Sequence, residues 1–358
     1  MTLASHVQDG ALGAWFRSGL ATPDGRAAVH DVLAEALRGR RPMRSPRHAG
    51  PGHAAQVQAA VRARLGFVVQ HAPPYRALTG AHRLGLASPG RVHELAGRFP
   101  SHAALDPARR REALRWRPSA AGWIDAGPWP GSAGRALHPP RLRPPRPSGR
   151  DVVGDVVSRA LALLDVCAPP GRLGGRAGEA ELARACTVLV GWATGVPARA
   201  AVPEEVADLV AVASESGVLH RWRDRAGSPP CGEALGVTDA VFVPGWAEGG
   251  IVVAGAGDGA SLLVDVLTLE DPLRRLDHLV GRCHHLLARA WLDRPARHGV
   301  GEVGLYLARH GVLVTWPVDE LATVLGGGAT SCRFGGLVAR AAAADGVRLG
   351  AGLLNEAK

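Results

Sequence analysis

The apolar pattern of the chain changes near residue 240, and this change constrains the fold more than any other feature. Before it, apolar residues recur at helical spacing; after it, they fall in short runs bounded by glycine, which is typical of strands. The runs occupy residues 240–243, 249–254, 261–267, 300–308 and 311–317, with helical segments at 271–292 and 318–325. The order β-β-β-α-β-β-α predicts an α/β (α+β) core in which helices flank a mixed sheet.

The N-terminal half is predicted to be helical. Helices are expected at residues 22–37, 56–65, 106–116, 151–166, 179–192 and 204–219. Residues 127–150 contain seven prolines, a density that blocks helix and strand hydrogen bonding. The sequence thus predicts a helical, basic N-terminal region (1–126), a Pro/Arg-rich linker (127–150), an α/β core (151–326) and a C-terminal tail (327–358).

Positive charge is concentrated in the first 150 residues. These hold 23 arginines against 8 acids, a net charge of +15, whereas the remainder has a net charge of −5. Such asymmetry favours a polyanionic partner, with DNA or RNA the first candidate, although a solvated arginine-rich surface explains it equally well. The candidate nucleic-acid-binding residues form two clusters: Arg109, Arg110, Arg111, Arg115 and Arg117 around Trp116, and Arg141, Arg143, Arg146 and Arg150.

Lysine occurs once among the 42 basic residues, as Lys358. Its absence elsewhere excludes a phosphate-binding Walker loop and an internal Schiff-base lysine. The five cysteines show no zinc-finger or CxxC spacing, and no apolar run is long enough for a membrane span. The start of the chain lacks the apolar block of a secretion signal. We therefore expect a cytoplasmic protein with reduced thiols and no membrane partner.

Residues 300–325, VGEVGLYLARHGVLVTWPVDELATVL, are the most distinctive segment. They resemble a late hairpin in a group of bacterial, mostly uncharacterised proteins that have a PD-(D/E)XK nuclease-like core. The resemblance covers residues 180–325 and, more loosely, residues 1–70. It implies a restriction-endonuclease-like mixed sheet, and a site in which two acids hold Mg²⁺ beside a lysine that acts on the attacking water or the developing charge.

The family's site is incomplete in this sequence. Asp265 matches the second acid, but Leu267 stands where the family has its lysine. Asp239 is the available first acid, at least one position from the gapless match, and a shift of one residue reverses the direction of a strand side chain. His284-His285 replaces a Tyr-Gln pair of the family. The resemblance therefore implies a pseudoenzyme: a non-catalytic, nuclease-like protein without a cofactor.

Two alternatives stay open. One is a nuclease with a rearranged catalytic site of Asp239, Asp265 and His285. In it Asp239 and Asp265 bind Mg²⁺ or Mn²⁺, with Glu270 as a further candidate ligand. In it His285 relays protons, since the pKa of a histidine is ordinarily near neutrality. The other is a scaffold that binds a protein partner. Cys283-His284-His285 is not expected to hold one metal ion, because neighbouring helical residues project about 100° apart.

Overall fold

The computed structural model describes residues 2–46, 50, 52–103, 151–167, 175–196, 202–230, 233–243, 246–293, 298–326, 331–347 and 349. In chain order its helices are α1 (Leu3–Asp9), α2 (Ala11–Gly19), α3 (Pro23–Leu37), α4 (His53–Val69), α5 (Tyr75–Arg83), α6 (Pro89–Gly97), α7 (Pro100–Ala103), α8 (Val152–Cys167), α9 (Arg176–Thr194), α10 (Val202–Glu215), α11 (Val218–Arg225), α12 (Leu276–Leu292), α13 (Val318–Gly326) and α14 (Ser331–Ala344). Its strands are β1 (Gly236–Thr238), β2 (Val241–Val243), β3 (Ala247–Glu248), β4 (Ile251–Val253), β5 (Ser261–Leu267), β6 (Val300–Leu307) and β7 (Val312–Pro317). The mixed α/β class predicted from the sequence is confirmed.

The described fold divides into two compact units, which differ from the linear domains that the sequence predicts. The sheet unit comprises Met1–Arg44, Glu215–Ser228 and Asp239–Lys358. The helical unit comprises Ser45–Ser214 and Pro229–Thr238. The division is not linear because the first three helices pack on elements from the C-terminal half: α1 on α12, α2 on α14, and α3 on α13.

Four strands of the main sheet lie in the sheet unit, in the order β4-β5-β6-β7. The β5–β6 pair is parallel, with Asp265 opposite Leu305, and the β4–β5 and β6–β7 pairs are antiparallel. A parallel pair needs a long crossover connection. The helix α12 lies in the connection between β5 and β6 and packs against both strands. The hairpin predicted at residues 300–317 is confirmed, with its turn at Gly311, where φ is 63°.

Aromatic side chains join the first helices to the last ones in the sheet unit. Trp291 on α12 packs with both Phe16 and Phe334, with ring centroids 6.3 and 5.0 Å away. Phe334 is buried and belongs to α14. Within the segment predicted as a C-terminal tail, residues 331–344 form a helix with buried apolar residues.

Asp345, directly after α14, accepts two hydrogen bonds on one carboxylate oxygen. Nε2 of His6 donates at 2.8 Å and Nε1 of Trp246 at 2.9 Å. Burial alone raises the pKa of Asp345, but these two hydrogen bonds outweigh it and hold that pKa below its ordinary value. The carboxylate thus links α1, the segment before β3 and the end of α14.

The helical unit has its own apolar core, built from α4 to α9 around residues such as Phe67, Leu78 and Phe99. A bidentate ion pair lies inside it. Arg64 donates through Nε and Nη2 to the two carboxylate oxygens of Glu179, at 2.8 and 2.6 Å, with the guanidinium 1% exposed. This geometry suits a planar guanidinium, and it neutralises two charges that burial would otherwise make costly.

Two sequence predictions need smaller corrections. The helix expected at residues 204–219 is two helices, α10 and α11, because Gly217 adopts the left-handed conformation at φ 71° and stops the first. The helix expected from residue 271 starts with a 3₁₀ turn, Leu273–Arg275, before α12.

Among the described residues, none of the helices has the length and apolar character that crossing a membrane requires.

The Asp345 contacts predict a pH dependence of stability. A carboxylate with a lowered pKa in the folded protein stabilises it above the pKa of the unfolded chain, and this contribution is lost as pH falls through the folded pKa. Asp345→Asn should lower the free energy of unfolding by about 1 kcal/mol at neutral pH, because the hydrogen bonds lose their charge. Urea titrations between about pH 3 and pH 7 should show a shallower acid decline for the variant.

The matched control for this measurement is Asp258→Asn, in the exposed turn between β4 and β5. It should leave both the neutral-pH stability and the acid decline unchanged. Equal behaviour of the two variants would contradict the assigned role of Asp345.

Candidate functional site

Asp265 lies in the middle of β5 and is 2% exposed. Every residue of β5 is buried, which is typical of a strand covered on both faces. Its neighbours on either side in the sheet are β4 and β6, so this carboxylate is surrounded by apolar strand residues. A buried carboxylate needs a cation or several hydrogen bonds to stay ionised.

Arg282 on α12 supplies that cation. Its Nε donates to Oδ2 of Asp265 at 2.5 Å, and its Nη2 contacts the same oxygen. The Arg282 side chain is 23% exposed, so the pair has one buried and one partly exposed member. Arg282 is not among the site residues predicted from the sequence, because the resemblance implies acids and a lysine on strands.

A spacing in the sequence gave the only available signal for this contact. His278, Arg282, His285 and Arg289 recur at intervals of four, three and four residues, which places them on one face of α12. The helix packs on β5 and β6, and the other residues that it buries are mostly apolar. A basic stripe of this kind on a core helix indicates a buried acid opposite it.

His285 is buried, and this corrects the prediction that it relays protons near neutral pH. Burial, with the positive charges of Arg282 and Arg289, lowers the pKa of His285 to about 3. The same causes, burial first and then Arg282, lower the pKa of His278. His285 is therefore a neutral side chain at physiological pH and too weak a base for general base catalysis.

Cys283 and His284 have structural environments. Burial raises the pKa of the Cys283 thiol to about 12, so the reactive thiolate is absent at neutral pH. His284 donates from Nε2 to the carbonyl oxygen of Leu20 at 2.7 Å and stacks on Phe16 with a centroid separation of 4.7 Å. This hydrogen bond holds the end of α2 on α12.

Leu267 has no exposed surface. Since residues two apart on a strand project to the same face, it lies on the Asp265 side of β5, where the resemblance implies a lysine. An apolar side chain there provides neither charge nor a hydrogen bond.

Asp239 does not lie on a strand beside Asp265. It precedes β2 in the left-handed conformation, at φ 50°, and β2 pairs with β3 in a two-stranded sheet. Glu270 follows β5 and forms an ion pair with Arg44 at a distance of 3.3 Å. Of the proposed set, Asp239 thus lies in a bend, Asp265 on β5 and His285 on α12.

The described residues do not fit the magnesium site that the resemblance implies. Within these parts of the chain, no group of three or more His, Cys, Asp or Glu side chains is placed to hold a metal ion. Asp265, the best-matched ligand, already bonds to a guanidinium. No catalytic step through a metal follows from this arrangement.

The candidate nucleic-acid-binding arginines, Arg109, Arg110, Arg111, Arg115, Arg141, Arg143 and Arg146, lie outside the described residues. The linker predicted at residues 127–150 lies outside them as well. These predictions therefore rest on the sequence.

Comparison of the chain with protein-family models, with curated proteins and with solved structures gives no significant match.

The Asp265–Arg282 pair predicts an asymmetry between removing one partner and removing both. Arg282→Met should lower the free energy of unfolding by about 3 kcal/mol, because it leaves a buried carboxylate without its cation. Adding Asp265→Leu to that variant should restore part of the loss, since both charges are then replaced by apolar groups. Urea denaturation followed by circular dichroism measures all three proteins.

Arg38→Met is the matched control. Its partner Glu35 is 63% exposed and Arg38 itself 76%, so the loss should stay within about 0.5 kcal/mol. If Arg282→Met costs no more than this control, Asp265 is not held in place by Arg282.

Proposed function

We propose that this protein is a non-catalytic PD-(D/E)XK nuclease-like protein that binds nucleic acid through its arginine-rich N-terminal part. In this proposal the sheet unit is a restriction-endonuclease-like core that serves as a folding unit. The observation that carries the proposal is the ion pair between Asp265, the best match to a family metal ligand, and Arg282.

The ion pair supports loss of catalysis because it replaces the charges of a metal site. A nuclease carboxylate must be free to bind a hard cation together with water. Asp265 is instead neutralised by a guanidinium, which offers only hydrogen-bond donors and cannot replace a hydrated metal ion. A metal ion would have to displace Arg282 and expose a carboxylate that is 2% accessible.

Two further side chains support the same reading. Leu267 provides no substitute for the family lysine, whereas arginine, the basic residue that this chain otherwise uses, would have preserved a positive charge at that position. His285 has a pKa of about 3, so it does not replace the lysine as a proton carrier or as a cation. At three positions matched to polar residues of the family site, Leu267 is thus apolar, His285 is neutral and Asp265 is paired with Arg282.

The nucleic-acid role rests on the charge distribution. The net charge of +15 in residues 1–150 contrasts with −5 in the rest of the chain, so the attraction for a polyanion lies in the N-terminal part. Arginine suits this role, because its planar guanidinium binds phosphate oxygens in a bidentate manner. The scaffold alternative predicts that this charge is only a solvated surface.

The first test of the proposal is nucleolytic. The purified full chain, incubated with single-stranded and duplex DNA and RNA in Mg²⁺ or Mn²⁺, should produce no cleavage beyond that of a mock purification. Asp265→Asn, which preserves the size of the side chain and a hydrogen bond to Arg282, should behave identically. Cleavage that disappears in Asp265→Asn would instead establish the rearranged nuclease.

The second test is binding. Log affinity for duplex DNA should fall linearly with log salt concentration, since each phosphate contact releases counterions. The variant R109Q/R110Q/R111Q should weaken binding by about tenfold at low salt and reduce the slope. The control R159Q/R221Q/R340Q removes the same charge from three exposed positions and should have little effect. Failure to bind any nucleic acid at low salt would contradict the proposed nucleic-acid role and favour the scaffold alternative.

A further inference from the structure

The carboxyl ends of β5 and β6 lie at one edge of the sheet because these strands are parallel. Arg309, which follows β6, is 1% exposed and forms hydrogen bonds with two other chain segments at this edge. Its Nε donates to the carbonyl oxygen of Thr268 at 2.7 Å and its Nη1 to that of Met43 at 3.0 Å. The backbone N–H of Met43 in turn donates to the carbonyl oxygen of Arg309 at 2.9 Å.

These hydrogen bonds bring two arginine-containing segments to the same edge. One is the loop that follows α3, and the other is the chain between β5 and α12. Their exposed arginines, which we call the basic edge, are Arg40, Arg41, Arg44, Arg274 and Arg275. Arg44 and Arg274 are 75% and 87% exposed, so they are accessible to a large ligand.

Acidic side chains neutralise only part of the basic edge. Arg44 pairs with Glu270 at 3.3 Å and Arg274 with Asp271 at 2.9 Å. Across the described parts of the chain, Arg40, Arg41 and Arg275 form no ion pair. The edge therefore presents about three positive charges in excess, two of them on neighbouring residues, to solvent.

The histidine at this edge adds no charge. His310 is 8% exposed, and burial, together with the positive charges of Arg309 and Arg44, lowers its pKa despite the opposing effect of Asp271. The pKa of His278, on which the charge of Arg275 acts, is lowered as well, so the positive charge of the edge is mainly that of its arginines. Any anion held here should bind independently of pH near neutrality.

The described surface offers charge but no exposed aromatic ring. Its exposed large apolar side chains are valines: Val32, Val152 and Val196. Binding of single-stranded nucleic acid relies on stacking of bases on aromatic side chains, whereas a duplex presents the denser array of phosphates, about one charge per 1.7 Å. A surface that carries arginine charge alone is thus better suited to a duplex.

We infer that the basic edge binds the phosphate backbone of duplex nucleic acid without reading its sequence. The inference rests on the proposed nucleic-acid role and assigns part of it to the folded sheet unit, at positions separate from Arg109 to Arg146. The contacts are phosphate contacts made by Arg40, Arg41 and Arg275, with Arg44 and Arg274 able to exchange their carboxylate partners for phosphate.

The test compares two triple variants of the full chain that remove equal charge. R40Q/R41Q/R275Q changes the basic edge, and R159Q/R221Q/R340Q is the control. Fluorescence anisotropy with a short duplex of arbitrary sequence should show about tenfold weaker binding for the first at low salt. The slope of log affinity against log salt should fall by about 2.7, since each phosphate contact contributes about 0.9. Circular dichroism should show an unchanged fold.

Several outcomes would overturn the inference. Equal binding by the two triple variants, or tighter binding to a single strand of the same length, would each do so. Loss of binding to phosphatidylserine vesicles alone, with duplex binding retained, would assign the edge to a lipid surface instead. Affinity that rises between about pH 8 and pH 6 would point to histidine rather than arginine.

The same measurements separate this inference from the proposed function. If R109Q/R110Q/R111Q binds like the parent chain while R40Q/R41Q/R275Q does not, the proposed role of the N-terminal clusters fails and the basic edge stands. The reverse result removes the basic edge and leaves the proposed function intact.

Discussion

The buried carboxylate of Asp265 is the constraint on which the sheet unit depends. A charge at the centre of a fully buried strand is tolerable only if a cation reaches it, and β5 itself has no such residue. The crossover helix α12 provides Arg282, because the parallel β5–β6 connection requires that helix to cover the sheet. Crossover geometry and charge neutralisation therefore act on the same helix.

The same helix organises the rest of the unit. His284, two residues beyond Arg282, binds the end of α2, and Trp291 packs on Phe16 and Phe334. One face of α12 thus packs on the sheet and neutralises Asp265. Its other buried residues contact the N-terminal and C-terminal helices. Asp345 completes this arrangement by accepting hydrogen bonds from α1 and from the residue before β3. Segments more than 300 residues apart in sequence become neighbours in this way.

Much of the fold follows from local sequence patterns. The strand at residues 261–267 and the 300–317 hairpin were predicted within one residue, because their apolar runs are bounded by Gly or polar turn residues. The break at Gly217 was not predicted, because a glycine inside a segment with helical apolar spacing does not by itself show that it adopts the left-handed conformation that ends a helix. The helix at 331–344 was not predicted. Its apolar residues are buried by packing against α2, which is distant in sequence.

The sequence by itself determined the fold class, the distribution of charge, and the absence of a lysine from the position of Leu267. These properties depend on residue identity and local periodicity alone. The tertiary structure decided what the remaining candidate side chains do: Asp265 pairs with Arg282, His285 is neutral, and Asp239 lies in a bend before β2 rather than on a strand. The physical reason is that the ionisation and reactivity of a side chain are set by burial and by neighbouring charges, and those neighbours come from distant parts of the chain.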